Sequence, residues 1–307
     1  MIWLVSGIID LFVLLVILLL IAFSCFALWD THHVVQEAAA ARYQVYKPVE
    51  EEHNASFEEL RAINPEVFSW ITIYGTNIDY PVVQGPDNME YVSTDVEGRY
   101  SLTGSIFLDS RQNRDFSSFP NILYGHHMEK KAMFGEIGSF TDKPYFDARR
   151  YGALFYDGKH HGLEIMALIH ADAYDNSIYQ ANIQGQEGRE AYIKHLMSKV
   201  LHNRGPALTP NDRIILLSTC SDIATNGRDI LVAKIVDHLY ENPFKDEPKV
   251  EHTNPVVDEL VGWWVQAPFL AKAILLGVAV FLVLWLLLAL VKRDRRYYQI
   301  IGRHVRC

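Results

Sequence analysis

The stretch 213–222 reads RIILLSTCSD, in which four apolar residues are followed by small polar ones. A short apolar run of this kind is typical of a buried strand. Cys220 lies where the strand emerges into polar sequence, so we expect its thiol to be exposed at a strand end. The stretch therefore predicts a β-rich core that presents one cysteine at its edge.

Seven other short runs are also strand-like, each bounded by Gly, Pro, Asn or Asp. They cover residues 70–74, 80–83, 105–108, 121–124, 153–156, 163–170 and 230–236. Asp157-Gly158 fits a hairpin turn between two of them. One helix is predicted over 187–202, where apolar residues from Tyr192 to Leu201 recur on one face. About eight short strands with one inserted helix predict a mainly β fold, a closed or nearly closed barrel.

Two uncharged apolar runs flank the β-rich region, at 11–29 and 273–291. Each is long enough for a helix to cross the roughly 30 Å hydrocarbon layer of a membrane. The chain is therefore expected to contain six segments. They are an N-terminal transmembrane anchor at 1–30, a helical extension at 31–67, the barrel at 68–245, a linker at 246–272, a C-terminal transmembrane helix at 273–291 and a basic cytoplasmic tail at 292–307.

The basic residues predict the orientation of these spans. Residues 292–296 read KRDRR, and basic clusters beside a membrane span tend to stay in the cytoplasm. With two spans, both termini are then cytoplasmic and the barrel is extracellular. A cleaved signal peptide is the alternative for 11–29, but this run lacks a basic leader and a small-x-small site before Trp29.

Charge and cysteine usage narrow the classes of function. The formal net charge is −9, and the tail 292–307 contributes +5 of it, which leaves −14 on residues 1–291. This acidity argues against a nucleic-acid partner. Cys25 lies in the first apolar run and Cys307 ends the chain, so Cys220 is the single cysteine of the barrel. It is either an inert buried residue or a thiol kept for its reactivity.

A reactive thiol needs a base or a cation close to it in space. His126 follows Gly125 at the end of the strand 121–124, which puts an imidazole at a strand rim, although an ordinary loop histidine has the same pattern. Arg228 precedes the strand 230–236, and a return strand would bring it beside Cys220. There a fixed cation would stabilise an oxyanion, while a surface salt bridge is an equal alternative.

Histidine pairs raise the question of a metal site. His126-His127 and His160-His161 could be ligands together with Cys220. Adjacent residues on an extended chain point to opposite faces, however, which opposes joint coordination. We therefore expect no metal and no other cofactor.

Five segments together resemble class B sortases, over about residues 60–237. They are IDYPVVQ at 78–84, GSIFLD at 104–109, LYGH at 123–126, MFG at 133–135 and LSTC at 217–220. The resemblance implies an eight-stranded sortase barrel with an N-terminal helical extension and a helix before the cysteine strand.

The resemblance also implies roles for individual residues. Cys220 would be the nucleophile, His126 the proton donor and acceptor, and Arg228 the oxyanion cation. Asp222 would orient His126 or Arg228. The peptide groove would include Ser218 and Asn88.

The activity implied is that of a cysteine transpeptidase acting on secreted proteins. Cys220 would attack a C-terminal sorting signal and form a thioester, which an amine of the cell-wall precursor resolves, so that the protein is anchored to the cell wall. A C-terminal membrane helix is more familiar in pilus-building class C sortases. A pilin polymerase with a Lys acceptor is therefore an alternative, although residues 31–67 lack the Asp-Pro-aromatic lid motif of class C.

Two further alternatives come from outside this family. An unrelated cysteine peptidase would use the same residue types, but papain-like enzymes place Cys before His, and here His126 comes first. A catalytically silent, membrane-tethered binding protein would need no reactive thiol, and loss of one of the three matched residues would favour it. All three are present.

Overall fold

The computed structural model describes residues 2–48, 55–220 and 226–245. They belong to the first of the two compact units of the chain, Met1–Lys249, and the second unit is Val250–Cys307. Three predicted segments therefore lie outside the described residues. They are the linker 246–272, the apolar run 273–291 and the basic tail 292–307.

Nine strands and four α-helices form the described part of the chain. The strands are β1 Val67–Ile73, β2 Asp79–Val83, β3 Ile106–Leu108, β4 Asn121–Tyr124, β5 Tyr151–Tyr156, β6 Lys159–Asp172, β7 Val200–Asn203, β8 Arg213–Cys220 and β9 Gly227–Val236. The helices are α1 Ile2–Ala38, α2 Ala55–Ile63, α3 Lys143–Ala148 and α4 Gln186–Met197. Short 3₁₀ segments include Ala40–Tyr46, Glu90–Val92 and Gly135–Thr141.

Eight of the strands close into a barrel, which confirms the predicted mainly β fold. Their order is β5-β1-β2-β3-β4-β8-β9-β6, and pairing of β6 with β5 closes the ring. β5 and β6 form the predicted hairpin, in which Asp157 and Gly158 have φ values of 50° and 71°. Among the strands of the described residues, only β2–β3 and β4–β8 pair in parallel. β7 is an additional strand on the edge of β6.

β8 is buried on both faces, which explains its continuous apolar sequence. Ile215 and Leu217 belong to the larger core cluster, which includes residues of β1, β2, β3 and β5. Ile214 and Leu216 belong to a second cluster, which includes residues of α4 such as Leu196. The strand that carries Cys220 is thus held from both sides.

The predicted helix over 187–202 is wrong at its C-terminal end. α4 ends at Met197, and Val200–Asn203 form β7. Leu168 of β6 pairs with His202, and the N–H of Arg204 donates to the carbonyl of Met166 at 2.8 Å. These backbone hydrogen bonds to β6 override the helical spacing of the apolar residues.

The predicted N-terminal anchor lies within α1, which continues past residue 30 to Ala38. Large apolar side chains along it are exposed, among them Phe12 and Phe23. Among the residues that the structure describes, no helix is sufficiently long and apolar to cross a membrane. The end of α1 contacts the barrel, where the Tyr80 hydroxyl donates to the carbonyl of Ala38 at 2.9 Å.

Candidate active site

The ends of β4, β8 and β9 lie next to one another on one edge of the barrel. β4 and β8 are parallel, and β8 and β9 are antiparallel. Ser218 of β8 pairs with Tyr124 on one side and with Ile230 on the other. Cys220 is the last residue of β8, and its Cα partner is Arg228.

The pairing of β4 with β8 continues beyond the last residue of β4. The N–H of Gly125 donates to the carbonyl of Ser218 at 3.2 Å. His126 is the next residue, so it reaches the level of Cys220, which is two residues beyond Ser218. Neighbouring strands are about 4.8 Å apart. Continuation of this register by one residue beyond Gly125 places the backbone of Cys220 between those of His126 and its Cα partner Arg228.

Gly125 allows the chain to reach this position. A Cβ there would lie 2.5 Å from Cδ1 of Ile106 and 2.7 Å from the ring of Phe134, so no side chain fits. The half-buried imidazole that follows is held by its Nε2, which is 2.8 Å from the carbonyl oxygen of Val92. His126 therefore has a fixed orientation in the structure.

Arg228 is half-buried, and it is followed by a buried carboxylate that contacts a histidine. Its Nη1 donates to the carbonyl of Gly227 at 2.9 Å. The next residue, Asp229, is only 2% exposed, and its Oδ1 is 2.6 Å from Nδ1 of His170 on β6. These two residues are also Cα partners in the sheet. The pairing of β6 with β9 at these residues holds the start of β9, on which Arg228 lies.

Tyr179 contacts the part of β8 that precedes Cys220. The hydroxyls of Tyr179 and Ser218 are 3.0 Å apart, and Ser218 is buried. The rings of Tyr179 and Tyr124 are stacked with centroids 6.2 Å apart. The segment that contains Tyr179 and leads to α4 thus packs against the ends of β4 and β8. Ser218, which is expected to be part of the peptide groove, contacts this segment through its hydroxyl.

Asn88 and Asp222 are the other two residues expected at the site, and the structure describes the first of them. Asn88 stabilises a loop, because its Oδ1 accepts a hydrogen bond from the N–H of Ser110 at 2.7 Å. Asp222 lies outside the described residues, in the gap at 221–225.

A buried carboxylate supports the strand that precedes His126. Asp109 is fully buried and accepts hydrogen bonds from the Tyr124 hydroxyl at 3.0 Å and from Nη2 of Arg111 at 2.6 Å. Burial acts to raise the pKa of Asp109, but the hydrogen bonds and charge of Arg111 outweigh it and hold the pKa below its ordinary value. Burial and the charge of Asp109 raise the pKa of Tyr124. Asp109 is therefore an anion that anchors the end of β4.

Arg111→Met is expected to lower the free energy of unfolding by about 2 kcal/mol at neutral pH, because Asp109 loses its charged donor. The pKa of Asp109 is lower in the folded chain than in the unfolded chain. The pair therefore stabilises the fold above the unfolded pKa, and this contribution is lost as the pH falls through the folded pKa. Urea unfolding at neutral and acidic pH, followed by tryptophan fluorescence, to which the buried Trp70 contributes, measures both effects.

Arg114→Met is a matched control for this prediction. Arg114 is also exposed, but its guanidinium donates to the side chain and carbonyl of Gln84, which are uncharged. Its replacement should cost the same at both pH values. If Arg111→Met lowered the free energy of unfolding equally at neutral and at acidic pH, the role given to Asp109 would be contradicted.

The histidine pairs considered as metal ligands are His126-His127 and His160-His161. His160 and His161 pair with Phe155 and Leu154 across the β5–β6 hairpin. Among the described residues, no group of three His, Cys, Asp or Glu side chains is arranged to hold a metal ion.

Comparison with known proteins gives close relatives of one kind. No protein-family model matches the chain. Sortase B from the Type II pilus of Streptococcus pneumoniae is 48% identical, and the match covers 59% of this chain and 99% of that structure, with a TM-score of 0.52. Sortase B of Clostridium perfringens is 38% identical, with 59% and 100% covered and a TM-score of 0.56. Sortase B of Staphylococcus aureus (strain NCTC 8325 / PS 47) is 29% identical over 205 residues, which is 65% of this chain and 83% of the relative.

These relatives and the closed barrel show that the protein is a cysteine transpeptidase. More narrowly, the chain belongs to the class B sortase family.

Proposed function

We propose that Cys220 is the nucleophile of this transpeptidase and that His126 and Arg228 complete its active site. The observation that supports this most is the strand register, in which Cys220 pairs with Arg228 and His126 follows the neighbouring strand end. A thiolate, a proton carrier and a fixed cation at one strand edge are sufficient for acyl transfer. The substrate is a secreted protein with a C-terminal sorting signal.

The reaction takes place in two half-reactions. The Cys220 thiolate attacks a backbone carbonyl carbon of the signal, and Arg228 stabilises the oxyanion that forms. The C–N bond then breaks while His126 protonates the leaving amine, and a thioester remains. An incoming amine gives a proton to His126 and attacks the thioester carbonyl, and the C–S bond breaks to release the thiolate.

Two acceptor amines fit this chemistry. The first is an amine of the cell-wall precursor, which would anchor the substrate to the wall. The second is a Lys side chain of a pilin, which would polymerise pilins. The relative that is 48% identical comes from a pilus, which favours keeping the second candidate.

The barrel is proposed to act outside the cell membrane. The support for this comes from the sequence, which has uncharged runs at 11–29 and 273–291 and the basic cluster at 292–296. A two-pass topology with both termini cytoplasmic would bring the enzyme to its secreted substrates.

Transfer of a labelled amine tests the proposed function. Detergent-solubilised full-length enzyme is mixed with the secreted proteins of its host and biotinylated triglycine, and the labelled proteins are identified by mass spectrometry. We expect labels at new C-termini inside sorting signals, formed about 10²-fold more slowly by Arg228→Met because the oxyanion loses its cation.

Arg61→Met is the control, since Arg61 is exposed on α2 and pairs with Glu58. It should label at the wild-type rate. Absence of labelling by the wild-type enzyme would favour the silent binding protein, and an unchanged rate in Arg228→Met would exclude the role of this arginine. Replacing triglycine by a biotinylated pilin peptide with one Lys distinguishes the two acceptors.

A further inference from the structure

The ring of His126 is bonded to a backbone oxygen on the side of the 3₁₀ segment Glu90–Val92. Its Nε2 is 2.8 Å from the carbonyl oxygen of Val92. A carbonyl oxygen accepts hydrogen bonds and cannot donate them, so Nε2 must carry the proton. Which nitrogen of a histidine is protonated is set by the hydrogen bond that the other one makes. In neutral His126, Nδ1 is therefore the nitrogen with the free lone pair.

The accepting carbonyl is held in place by the segment that leads to β3. Gly104 has φ +56°, and a Cβ there would lie 2.6 Å from the Val92 oxygen and 2.5 Å from the Tyr91 oxygen. The N–H of Ser105 donates to the Tyr91 carbonyl at 3.0 Å, and the N–H of Ser101 donates to the carbonyl of Ser93 at 3.0 Å. The Val92 carbonyl thus has a close backbone neighbour and bonded residues on both sides.

The rest of the 3₁₀ segment is equally well anchored. Tyr91 is 2% exposed, and its hydroxyl donates to Oε2 of Glu66 at 2.6 Å and accepts from the amide of Asn64 at 2.8 Å. A carbonyl on so rigid a segment keeps its position when the imidazole changes its protonation state.

We propose that the Val92 carbonyl is a positioning group for catalysis, which keeps Nε2 of His126 protonated and assigns all proton transfer to Nδ1. The inference rests on the proposed function of His126. It gives a backbone oxygen the task that a carboxylate performs in Ser-His-Asp triads, namely to select the tautomer and to stabilise the imidazolium.

The proton balance of both half-reactions follows from this assignment. In the imidazolium both nitrogens carry protons, and the one on Nδ1 passes to the leaving amine while Nε2 keeps its bond to Val92. The neutral ring then accepts a proton from the incoming amine at Nδ1. The Nε2 proton is not exchanged in either step, so the imidazole ring keeps its orientation throughout the catalytic cycle.

Nitrogen-15 NMR of the full-length enzyme, labelled in its histidine rings, tests the tautomer directly. The His126 signals are assigned by their loss in His126→Gln. In the neutral ring we expect a protonated Nε2 and an unprotonated Nδ1. The opposite tautomer, or an equal mixture of the two, would overturn the proposal even if the enzyme transfers acyl groups normally.

Two glycine variants test the contribution of the carbonyl to the rate. Gly104→Ala would displace the Val92 carbonyl, while Gly98→Ala introduces the same left-handed strain (φ +81°) with no atom within 4 Å of the new Cβ. We expect Gly104→Ala to lower kcat by about 10²-fold with KM unchanged, as a displacement of about 1 Å can, and to mix the tautomers. Gly98→Ala should keep the wild-type kcat and tautomer. Equal effects of the two variants would contradict the proposal.

A third variant keeps the inference testable if Gly104→Ala does not fold. Replacement of His126 by Nδ1-methylhistidine blocks proton transfer at Nδ1 and leaves Nε2 as the one ring nitrogen that can exchange a proton. We expect loss of transfer while a thiol reagent still alkylates Cys220. Persisting transfer would overturn the assignment to Nδ1. Transfer that does not need Cys220 would instead overturn the proposed function, whichever tautomer is observed.

Discussion

Cys220→Ala is expected to reduce transpeptidation by about 10⁴-fold or more, because it removes the thiol that forms the acyl-enzyme. Cys220 ends β8 and is the single cysteine within the barrel strands. Without its sulfur, Arg228 has no tetrahedral intermediate to stabilise. The measurement is the rate of triglycine transfer to a sorting-signal protein.

Three variants make this result specific. Cys220→Ser keeps the shape of the side chain but replaces the thiol by a hydroxyl that ionises far less readily, so it should be as inactive as the alanine variant. Cys25→Ala and Cys307→Ala should transfer at the wild-type rate. Substantial transfer by Cys220→Ala, or its loss in either of the other two alanine variants, would show that the nucleophile has been misassigned.

His126→Gln is expected to slow both half-reactions by about 10³-fold, since general acid–base catalysis contributes about 10²–10⁴-fold. The amide of glutamine retains a donor for the Val92 carbonyl, so the local structure is preserved. It cannot exchange a proton with the leaving or the incoming amine. Single-turnover kinetics of thioester formation and of its aminolysis measure the two half-reactions separately.

His127→Gln is the matched control, because it changes the adjacent imidazole in the same way. His127 forms a β-bridge with Met133, and the proposed mechanism gives it no part in proton transfer. We expect its rate to stay within about twofold of the wild-type rate, in line with replacements away from reacting groups. A larger loss in His127→Gln than in His126→Gln would exchange the roles of the two residues.

The barrel was predictable because its strands have strong local signals. β8 is apolar over four consecutive residues because both of its faces are buried, and Asp157-Gly158 has the residue types that a left-handed turn requires. The extra strand β7 was not predictable, because Val200 and Leu201 also fit the spacing of α4. Only the hydrogen bonds to β6, a strand distant in sequence, decide between the two structures.

In the candidate site, too, some residues were predictable from the sequence and others were not. Cys220, His126 and Arg228 could be chosen because each adjoins a predicted strand end. Asp109 and Arg111 are two residues apart, and that spacing of opposite charges after a strand was a usable signal. The pairing of Asp229 with His170 depends on the register of β6 with β9, and Val92 acts through a backbone oxygen. Neither has a signature in residue type.

Intact-mass spectrometry of the acylated enzyme tests the central claim most directly. Full-length enzyme is mixed with a secreted protein identified by triglycine labelling and is quenched before an acceptor amine is added. We expect a mass gain equal to the acyl fragment, located on the peptide that contains Cys220 and removed by hydroxylamine, which cleaves thioesters. An adduct on another residue, or one that resists hydroxylamine, would contradict the assignment of Cys220 as the acylated nucleophile.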